Sequence, residues 1–183
     1  MKKISGAELL AQYARGRRDF RAIDLSEADL FEANLQGIDL TGSNLQKTYL
    51  PYSNLSQAQL EQAQLQAAQL SDAQLYQANL SQANLQDANL FRATLRRANL
   101  QGANLAGANL QGVDLGNADL SCANLSNADL SRANLQKANL SKAQLSGSNL
   151  FRTQNVDLSN AYLDSLTIYP DGHRPDNLQL GEQ

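Results

Sequence analysis

The sequence predicts an all-β solenoid, in which one short backbone unit repeats along a common axis, and three observations lead to this prediction. An apolar residue occupies every fifth position from Phe20 to Leu150, which makes 27 positions, and 26 of them are Leu. Ala lies two residues before 19 of these positions, and Asn or Asp lies one residue before 20 of them. The apolar side chains, 42% of the 183 residues, are mostly Leu and Ala, which indicates one packing arrangement used repeatedly.

The five-residue spacing excludes the two regular elements that could otherwise bury such a pattern. On an α-helix, successive leucines would lie about 140° apart and would spiral around the surface. On a strand, an odd spacing sends alternate leucines to opposite faces. A chain that turns a corner every five residues instead points every Leu, and the Ala before it, toward one axis, with successive turns of the chain stacked about 4.8 Å apart.

The unit A-(N/D)-L-X-X resembles that of the pentapeptide-repeat family, whose members fold as a right-handed quadrilateral β-helix. The resemblance covers about residues 18–168. It implies that four repeats close each coil, that residue n lies beneath residue n+20, and that about seven coils stack into a rod roughly 33 Å long. The opening RRDFRAIDLSEADL and the closing IYPDGHRPD are similar to the flanks of cyanobacterial members.

We expect three parts in the chain: an N-terminal helical cap (1–17), the β-helix (18–168) and a polar C-terminal tail (169–183). A cap is needed because the open end of a stacked coil exposes backbone groups and leucines. Ser5 and Glu8 form a capping box, and Gly16 is placed to end a helix. Together with an apolar stripe that begins at Leu9, they predict a short α-helix over 6–15 that lies on the first coil.

Within the β-helix, the inward Leu positions form the predicted structural core, represented by Phe20, Leu25, Leu90 and Leu150. The Asn and Gln side chains before each Leu are expected to form hydrogen-bonded ladders between coils. Four successive Gln residues at this position are expected to project further than Asn: Gln59, Gln64, Gln69 and Gln74.

At the C-terminal end the repeat frame slips after Leu150. The next predicted centres are Leu158 and Leu163, and Ile168 is expected to be one more. The segment from Tyr169 to Gly172 then predicts a turn. Because some members of the family dimerise through their C-terminal ends, the resemblance also allows a homodimer through this end.

The sequence contains no set of residues that favours catalysis. Its one His, His173, has only Asp171 and Asp176 nearby, which is not a metal-ligand set by type or spacing. Its one Cys, Cys122, falls at an outer turn position without a nearby His. The recurring Asp residues alternate with Asn in equivalent repeats, which is typical of structural hydrogen bonding. We therefore predict a protein that is not an enzyme and needs no cofactor or metal.

Composition predicts a cytoplasmic protein without a membrane partner. The formal net charge is −3, so the chain as a whole is neither a strong anion nor a strong cation. A single Cys cannot form an internal disulfide, which fits a reducing compartment. No apolar run of the roughly 7–15 residues of a signal peptide follows Lys2 and Lys3, and none of the about 20 residues of a membrane helix occurs.

Function must then lie in the two outward residues after each Leu. At 20 residues per coil, the three Phe residues outside the core fall in one column, and the neighbouring column becomes basic toward its end. Aromatic and Arg side chains are the usual anchors of protein interfaces. The predicted interaction patch consists of Tyr76, Phe91, Arg92, Arg96, Arg97, Arg132, Phe151 and Arg152.

Three functions compete at this point. The first is a scaffold or regulatory protein that holds an unidentified protein partner through its outer faces, as some relatives in the family do. The alternative is a DNA-mimicking binder of DNA gyrase or topoisomerase, as in the quinolone-resistance branch of the family. Mimicry needs a long acidic surface, whereas the outward positions from 81 to 152 carry seven cations and only Asp87 as an anion. The third is direct nucleic-acid binding by the basic patch, for which a few arginines among Asn, Gln and Ser make a sparse footprint.

Overall fold

The computed structural model describes residues 1–174. Regular elements are few and short: strand β1 at Lys2–Lys3, helix α1 at Gly6–Ala14 and strand β2 at Ile23–Asp24, with β1 parallel to β2. The rest of the fold is a stack of coils held by single-residue parallel bridges. In the part of the chain that the structure describes, no helix has the length and apolar character needed to cross a bilayer.

The stacking register is twenty residues. Parallel bridges join residue n to residue n+20 from the pair Asp19–Asp39 to the pair Asn134–Gln154. Four five-residue repeats therefore separate each residue from its neighbour in the next coil, as the resemblance predicted. The chain is a β-helix in which each repeat contributes one bridging residue, the one before the inward Leu.

A repeat in the middle of the stack that carries Asn or Asp before its Leu satisfies all five of its backbone N–H groups, and this explains the pattern A-(N/D)-L-X-X. In the repeat around Leu25, the N–H of Leu25 donates to the carbonyl oxygen of Asn44 at 2.8 Å, and that of Glu27 donates to Gln46 at 2.9 Å. The N–H of Ala28 closes a turn onto the Leu25 carbonyl oxygen at 3.0 Å. The bridging residue donates to the preceding coil, as the N–H of Tyr49 does to Ala28.

The fifth N–H belongs to the first residue of the corner, and the Asn or Asp side chain accepts it. For example, the N–H of Phe31 donates to Asp29 Oδ1 at 3.1 Å, and that of Ser121 donates to Asp119 Oδ1 at 2.9 Å. A buried or partly buried N–H without a partner is costly. The Asn or Asp one residue before most of the Leu positions therefore stabilises the corner that follows it.

The second residue of each corner adopts a positive φ, as a type II turn requires. Gly fills this position in some repeats, with φ of +64° at Gly102 and +68° at Gly107. Other residues are held there against their preference, including Ala67 at φ 54° and Arg92 at φ 57°. The corner hydrogen bonds stabilise this backbone conformation repeat after repeat.

The amide ladders predicted from the sequence are confirmed. Asn99 Nδ2 donates to Asn79 Oδ1 at 3.2 Å, and Asn104 does the same to Asn84. The expectation that the Gln side chains project further is wrong for Gln64, whose Nε2 turns back onto the carbonyl oxygen of Gln62 at 3.1 Å. Its extra methylene lets the amide reach the corner of the preceding repeat.

The interior is filled by the predicted core. Phe20, Leu25 and Leu150 are 0% exposed and Leu90 is 1% exposed. Each buried Leu contributes about 2 kcal/mol of transfer free energy, most of which is offset by chain entropy. Three inward positions near the N-terminal end hold hydroxyl side chains in place of Ala, and these also find partners inside, as when Ser43 Oγ donates to the carbonyl oxygen of Phe20 at 3.0 Å.

The N-terminal segment packs directly on the first coil. The N–H of Ile4 donates to the carbonyl oxygen of Asp24 at 3.0 Å, which continues the pairing of β1 with β2. Helix α1 then begins after Ser5, whose Oγ accepts the N–H of Glu8 at 3.1 Å. A Cβ at Gly6 would collide with the carbonyl oxygen of Asp29, so only Gly allows this close approach. Leu9 is completely buried.

The C-terminal end departs from the register. The bridge from Gln144 reaches Tyr162, and that from Asn149 reaches Ile168. The predicted centres Leu158 and Leu163 pack against the core but are only partly buried. The prediction for Ile168 is wrong by one residue: it takes the outward bridging position, and Tyr169 takes the place of the centre.

The move of the centre from Ile168 to Tyr169 has a local cause. One additional residue, Asp164, follows Leu163, and its Oδ1 accepts the N–H of Leu166 at 3.0 Å. Thr167 then occupies the inward position, and its hydroxyl proton lies within hydrogen-bond distance of two acceptors, the carbonyl oxygen of Leu145 at 2.9 Å and Asp164 Oδ1 at 3.0 Å. The predicted turn after Tyr169 is present, since the N–H of Gly172 donates to the Tyr169 carbonyl oxygen at 2.9 Å. The boundaries between cap and β-helix at 17/18 and between β-helix and tail at 168/169 stay predictions. Residues 175–183 of the predicted tail lie outside the residues that the structure describes.

Candidate interaction surface

The column that the sequence singled out is a continuous corner of the β-helix. We call it the aromatic corner. The N–H of Arg92 donates to the carbonyl oxygen of Gln111 at 3.0 Å, and that of Arg132 donates to Phe151 at 2.9 Å, so the corner pairs lie one above another. The aromatic corner consists of Phe31–Glu32, Pro51–Tyr52, Ser71–Asp72, Phe91–Arg92, Gln111–Gly112, Ser131–Arg132 and Phe151–Arg152.

The three Phe residues of this corner are spaced widely. Phe31 and Phe151 are exposed at 46% and 37%, whereas Phe91 is half-buried. Three coil steps, about 14 Å, separate each Phe from the next. The corner is therefore a ridge with an aromatic side chain at both ends and in the middle, and it does not form one contiguous apolar patch.

The predicted arginines all lie on the surface, and several are held by neighbours. Arg92 Nε lies 3.1 Å from Asp72 Oδ1, and its guanidinium lies 5.9 Å from the centre of the Phe91 ring. The guanidinium of Arg152 lies 4.9 Å from the centre of the Phe151 ring. Exposed ion pairs of this kind add little stability. Their effect here is to orient the side chains along the corner.

The remaining predicted patch residues lie on the next corner along the chain. Arg97 Nη1 donates to Tyr76 Oη at 3.2 Å, and Arg96 Nη1 lies 3.8 Å from Asp114 Oδ2. The structure thus brings Tyr76 and Arg97 together, beside but not on the aromatic corner. Arg132 and Arg152 belong to the aromatic corner itself, two and three coils beyond Arg92 toward the C-terminal end.

The sequence reading missed an aromatic cluster in the N-terminal half of the corner. The Phe31 ring stacks on Tyr49 with ring centres 6.0 Å apart and meets Tyr52 edge-on at 5.9 Å. All three side chains are exposed by 45–55%. Tyr49 was missed because it stands where most repeats carry Asn or Asp, and only the two residues after each Leu were considered as surface. It is the one aromatic residue at that position between Asp19 and Asn149, which is the signal that could have revealed it.

Residues that could take part in catalysis or metal binding are dispersed over the rest of the molecule. Cys122 is exposed at an outer turn, with φ 58°. His173 Nδ1 lies 3.4 Å from Asp171 Oδ2, and a hydrogen bond from the backbone N–H of His173 lowers the pKa of Asp171. Across residues 1–174, no group of three or more His, Cys, Asp and Glu side chains could hold a metal ion. The third residue of that sequence neighbourhood, Asp176, lies outside the described residues.

Two adjoining open depressions mark the place where the last coil loses its register. The larger has a volume of about 520 Å³ and lies between Ser141–Lys142 and Ser159–Tyr162. The smaller has a volume of about 60 Å³ and lies between the segment around Leu140 and the segment around Ser159. Its lining is mainly polar backbone and Asn, Asp and Ser side chains. No titratable pair or nucleophile is assembled there, so the outer surface is the better candidate for function.

The sequence matches the family model described as pentapeptide repeats, in 8 copies, at residues 19–46, 43–82, 83–121 and 115–152. It is 30% identical to HetL, a pentapeptide repeat protein involved in heterocyst differentiation regulation from the cyanobacterium Nostoc sp. strain PCC 7120. That alignment covers 94% of this chain and 100% of HetL, with a TM-score of 0.37.

Two further solved structures are similar. The pentapeptide repeat protein alr5209 from Nostoc PCC 7120 is 32% identical over 89% of this chain and 98% of its own, with a TM-score of 0.36. QnrB1, a plasmid-mediated fluoroquinolone resistance protein, is 18% identical over 80% of this chain and 81% of its own, with a TM-score of 0.56. A comparison with curated proteins finds no match. The likeness to QnrB1 concerns the fold alone, and that fold is the right-handed β-helix.

Proposed function

The chain belongs to the pentapeptide-repeat family, and from this premise we propose that it is a non-enzymatic interaction protein, with a scaffold or regulatory role. It acts through the outer faces of a rigid β-helix on a protein partner in the cytoplasm. Four-sided coils, about seven of them, present the surface, and α1 serves as the N-terminal cap. HetL, the similar protein named above, takes part in regulation of cell differentiation.

One observation carries this proposal: the interior is closed and the variable chemistry lies outside. The inward Leu side chains from Leu25 to Leu150 are at most 4% exposed. Ligand sites are normally concave, whereas this surface is a set of ridges. The aromatic corner offers Phe and Arg side chains, which are the usual anchors of protein interfaces.

Capture of partners from a lysate of the source cells tests the proposal. The variant Phe91→Ala with Arg92→Ala removes the centre of the aromatic corner and leaves the inward Leu and the corner backbone intact. We expect its melting temperature to stay near that of the wild type, because both side chains reach solvent. The matched control is Gln101→Ala with Lys142→Ala, which also removes one cation but from the opposite corner.

Mass spectrometry of the captured proteins gives the readout. The proposal predicts a protein retained by the wild type and by the control variant but lost from the Phe91→Ala/Arg92→Ala variant. If the wild type and both variants capture the same proteins, the centre of the aromatic corner does not bind a partner, and the proposal is wrong for that part of the surface.

DNA mimicry toward gyrase or topoisomerase is the alternative function. It has the fold of QnrB1 in its favour and the charge distribution against it. The exposed guanidinium groups of Arg92, Arg132 and Arg152 lie along one corner, where a mimic of the phosphate backbone needs carboxylates. Type II topoisomerase subunits in the captured material, together with inhibition of supercoiling by the purified protein, would favour mimicry over the scaffold role.

The partly open last coil supports a homodimer through the C-terminal end as a second proposal. Tyr162 and Leu166 are 60% and 58% exposed, and Leu163 beneath them is only half-buried. Apolar groups in this arrangement gain free energy if a second copy covers them. The variant Tyr162→Glu with Leu166→Glu should convert such a dimer to a monomer in light scattering, and a dimer unaffected by it would exclude this end.

A further inference from the structure

We propose that the aromatic corner binds a second copy of this chain, side by side and antiparallel, about a twofold axis that passes at Phe91 and Arg92. This inference rests on the proposed function, since it names a partner for the same corner. It adds an interaction surface that runs along the side of the rod, away from the C-terminal end.

The Phe residues in the first outward position of the corner are placed symmetrically. From the N-terminal to the C-terminal end that position reads Phe, Pro, Ser, Phe, Gln, Ser, Phe. The chain has four Phe residues, and Phe20 belongs to the core. The other three lie in this column, with Phe31 and Phe151 each three coils from Phe91. A twofold axis perpendicular to the rod at Phe91 therefore places Phe31 against Phe151 of the second copy.

Between Glu32 and Arg152, the second outward position of the corner is opposite in charge at its two ends, and Asp171 follows at the next level, where Pro170 accepts the N–H of Arg152. The N-terminal half carries Glu32, Tyr52 and Asp72, and the C-terminal half carries Arg132 and Arg152. The same twofold axis pairs Glu32 with Arg152 of the second copy. It also places Tyr52, which is 55% exposed, against the guanidinium of Arg132, a cation–π arrangement.

The orientation follows from these charges. A parallel side-by-side pair would place the two Glu32 residues at one level and the two Arg152 residues at another, so that like charges lie near each other at each end. The antiparallel pair makes two Glu–Arg contacts and two Tyr–Arg contacts, because every contact occurs twice about a twofold axis. Electrostatic complementarity of this kind suppresses the wrong orientation.

The chemistry at the axis itself is compatible with close approach. Arg92 would meet its own copy there, and Asp72 Oδ1 at 3.1 Å from Arg92 Nε offsets the charge within each chain. Asp72 in turn faces Gly112 of the second copy, which has no side chain to obstruct it. The half-buried Phe91 supplies the apolar contact at the centre.

The exposed apolar side chains are concentrated at this corner. Seven large apolar residues are exposed within residues 1–174, and four of them lie on the corner or against it: Phe31, Tyr49, Tyr52 and Phe151. The contact would run six coil steps, about 29 Å, along a narrow ridge. Such a contact is smaller than a standard interface, so we expect a weak dimer whose population depends on concentration and salt.

Small-angle X-ray scattering and sedimentation of the purified protein test the inference, at concentrations up to about 0.5 mM. The experiment is run at ionic strengths of about 0.02 M and about 0.5 M. A dimer of this geometry has a larger mass with almost the same maximum dimension as the monomer. An end-to-end dimer would instead double the maximum dimension.

Charge swaps make the test specific. Because each reversal acts at two sites in the dimer, Arg152→Glu should raise the dissociation constant at least about tenfold. Combining it with Glu32→Arg exchanges the two signs, and the double variant should return to within about threefold of the wild type. Lys142→Glu, on the opposite corner, is the control and should leave the dissociation constant unchanged. Thermal melts of all variants establish that they are folded.

The outcomes separate this inference from the proposed function. A protein that stays monomeric at low salt and at the highest concentration overturns the inference, as does a dimer insensitive to Arg152→Glu or one not restored by the double swap. A monomeric protein that still loses a captured partner through Phe91→Ala/Arg92→Ala leaves the proposed function intact.

Discussion

The two ends of the β-helix are built from the same repeat but buried to different degrees. At the N-terminal end, Leu9 and Phe20 are 0% exposed and Ile4 is 6% exposed. At the C-terminal end, Leu158, Leu163 and Tyr169 of the last coil are only partly buried, although Thr167 between them is 0% exposed. The repeat therefore does not bury its own last layer, and burial at an end depends on what the non-repeating segment places over it.

The N-terminal segment buries the first coil because it follows the surface of that coil closely. Strand β1 continues the bridge pattern, Gly6 allows α1 to approach the backbone at Asp29, and Tyr13 Oη donates to the carbonyl oxygen of Gln36 at 2.7 Å. The guanidinium of Arg17 lies 4.5 Å from the centre of the Phe20 ring. Apolar, polar and cation–π contacts thus all act on one layer.

The largest loss of stability should come from a charged side chain placed in the middle of the β-helix. This loss is the reference with which changes at the two ends are compared. Leu90→Lys puts an ammonium group into a site that is 1% exposed and has no partner for it. We expect loss of the folded state, since the cost of burying an unpaired charge is comparable to the about 5–15 kcal/mol that stabilise a domain. Leu163→Lys at the C-terminal end should remain folded, because its ammonium group can reach water.

Circular dichroism melts of both variants measure this difference. A cooperative melt of Leu90→Lys close to that of the wild type would contradict the stacked-coil arrangement. Loss of folding in both variants would mean that the last coil is as closed as the middle.

A smaller effect should distinguish the two ends directly. Leu9→Ala removes a completely buried side chain between α1 and the first coil, and a loss of about 2–5 kcal/mol is typical of such a change. Leu163→Ala removes a half-buried side chain and should cost about 1 kcal/mol. Denaturant unfolding gives the totals, and hydrogen exchange shows which coils open. Equal losses would indicate that the C-terminal end is covered as completely as the N-terminal end.

The smallest effect concerns pH at the C-terminal end. Burial works to raise the pKa of Asp164, but hydrogen bonds from the N–H groups of Gly147, Leu166 and Thr167 and from the Thr167 hydroxyl lower it below the ordinary 3.8. A lowered pKa in the folded state stabilises that state above the ordinary pKa, and this stabilisation is lost as pH falls through the lowered value. Protection of the amides around Asp164 should therefore decrease below about pH 4.

Asp164→Asn provides the comparison for this pH effect. The amide oxygen can still accept the N–H groups but does not titrate, so the decrease in protection below that pH should be smaller in the variant. The measurement is hydrogen exchange at several pH values, corrected for the intrinsic exchange rate. An identical pH profile in both proteins would show that protonation of Asp164 does not affect the stability of the C-terminal end.

Sequence reasoning succeeded where the repeat governs position and failed where one residue breaks it. The burial of Leu90 and the alignment of Arg92 beneath Gly112 follow from counting by five and by twenty. Ile168 lies five residues after Leu163 and therefore looked like a centre. The extra residue, Asp164, moves that role to Tyr169 through hydrogen bonds that spacing does not reveal.

The candidate surface shows the same limit. The columns of Phe and Arg were predicted because they depend only on register. The stacking of Phe31 on Tyr49 was not, because it joins the flat part of one repeat to the corner of the coil beneath it. Contacts of this kind depend on side-chain conformations, which a period does not determine.

The twenty-residue register also constrains how such a molecule can change its length over evolution. Duplication or deletion of twenty residues adds or removes a whole coil and keeps every later column on its face. An event of five residues preserves the Leu interior equally well but rotates all later side chains by one face, so that Arg132 and Arg152 would leave the line of Phe31 and Tyr52. Stability alone would accept both events. A recognised surface would accept only the first, and the lengths of related chains therefore carry a record of whether their outer faces were under selection.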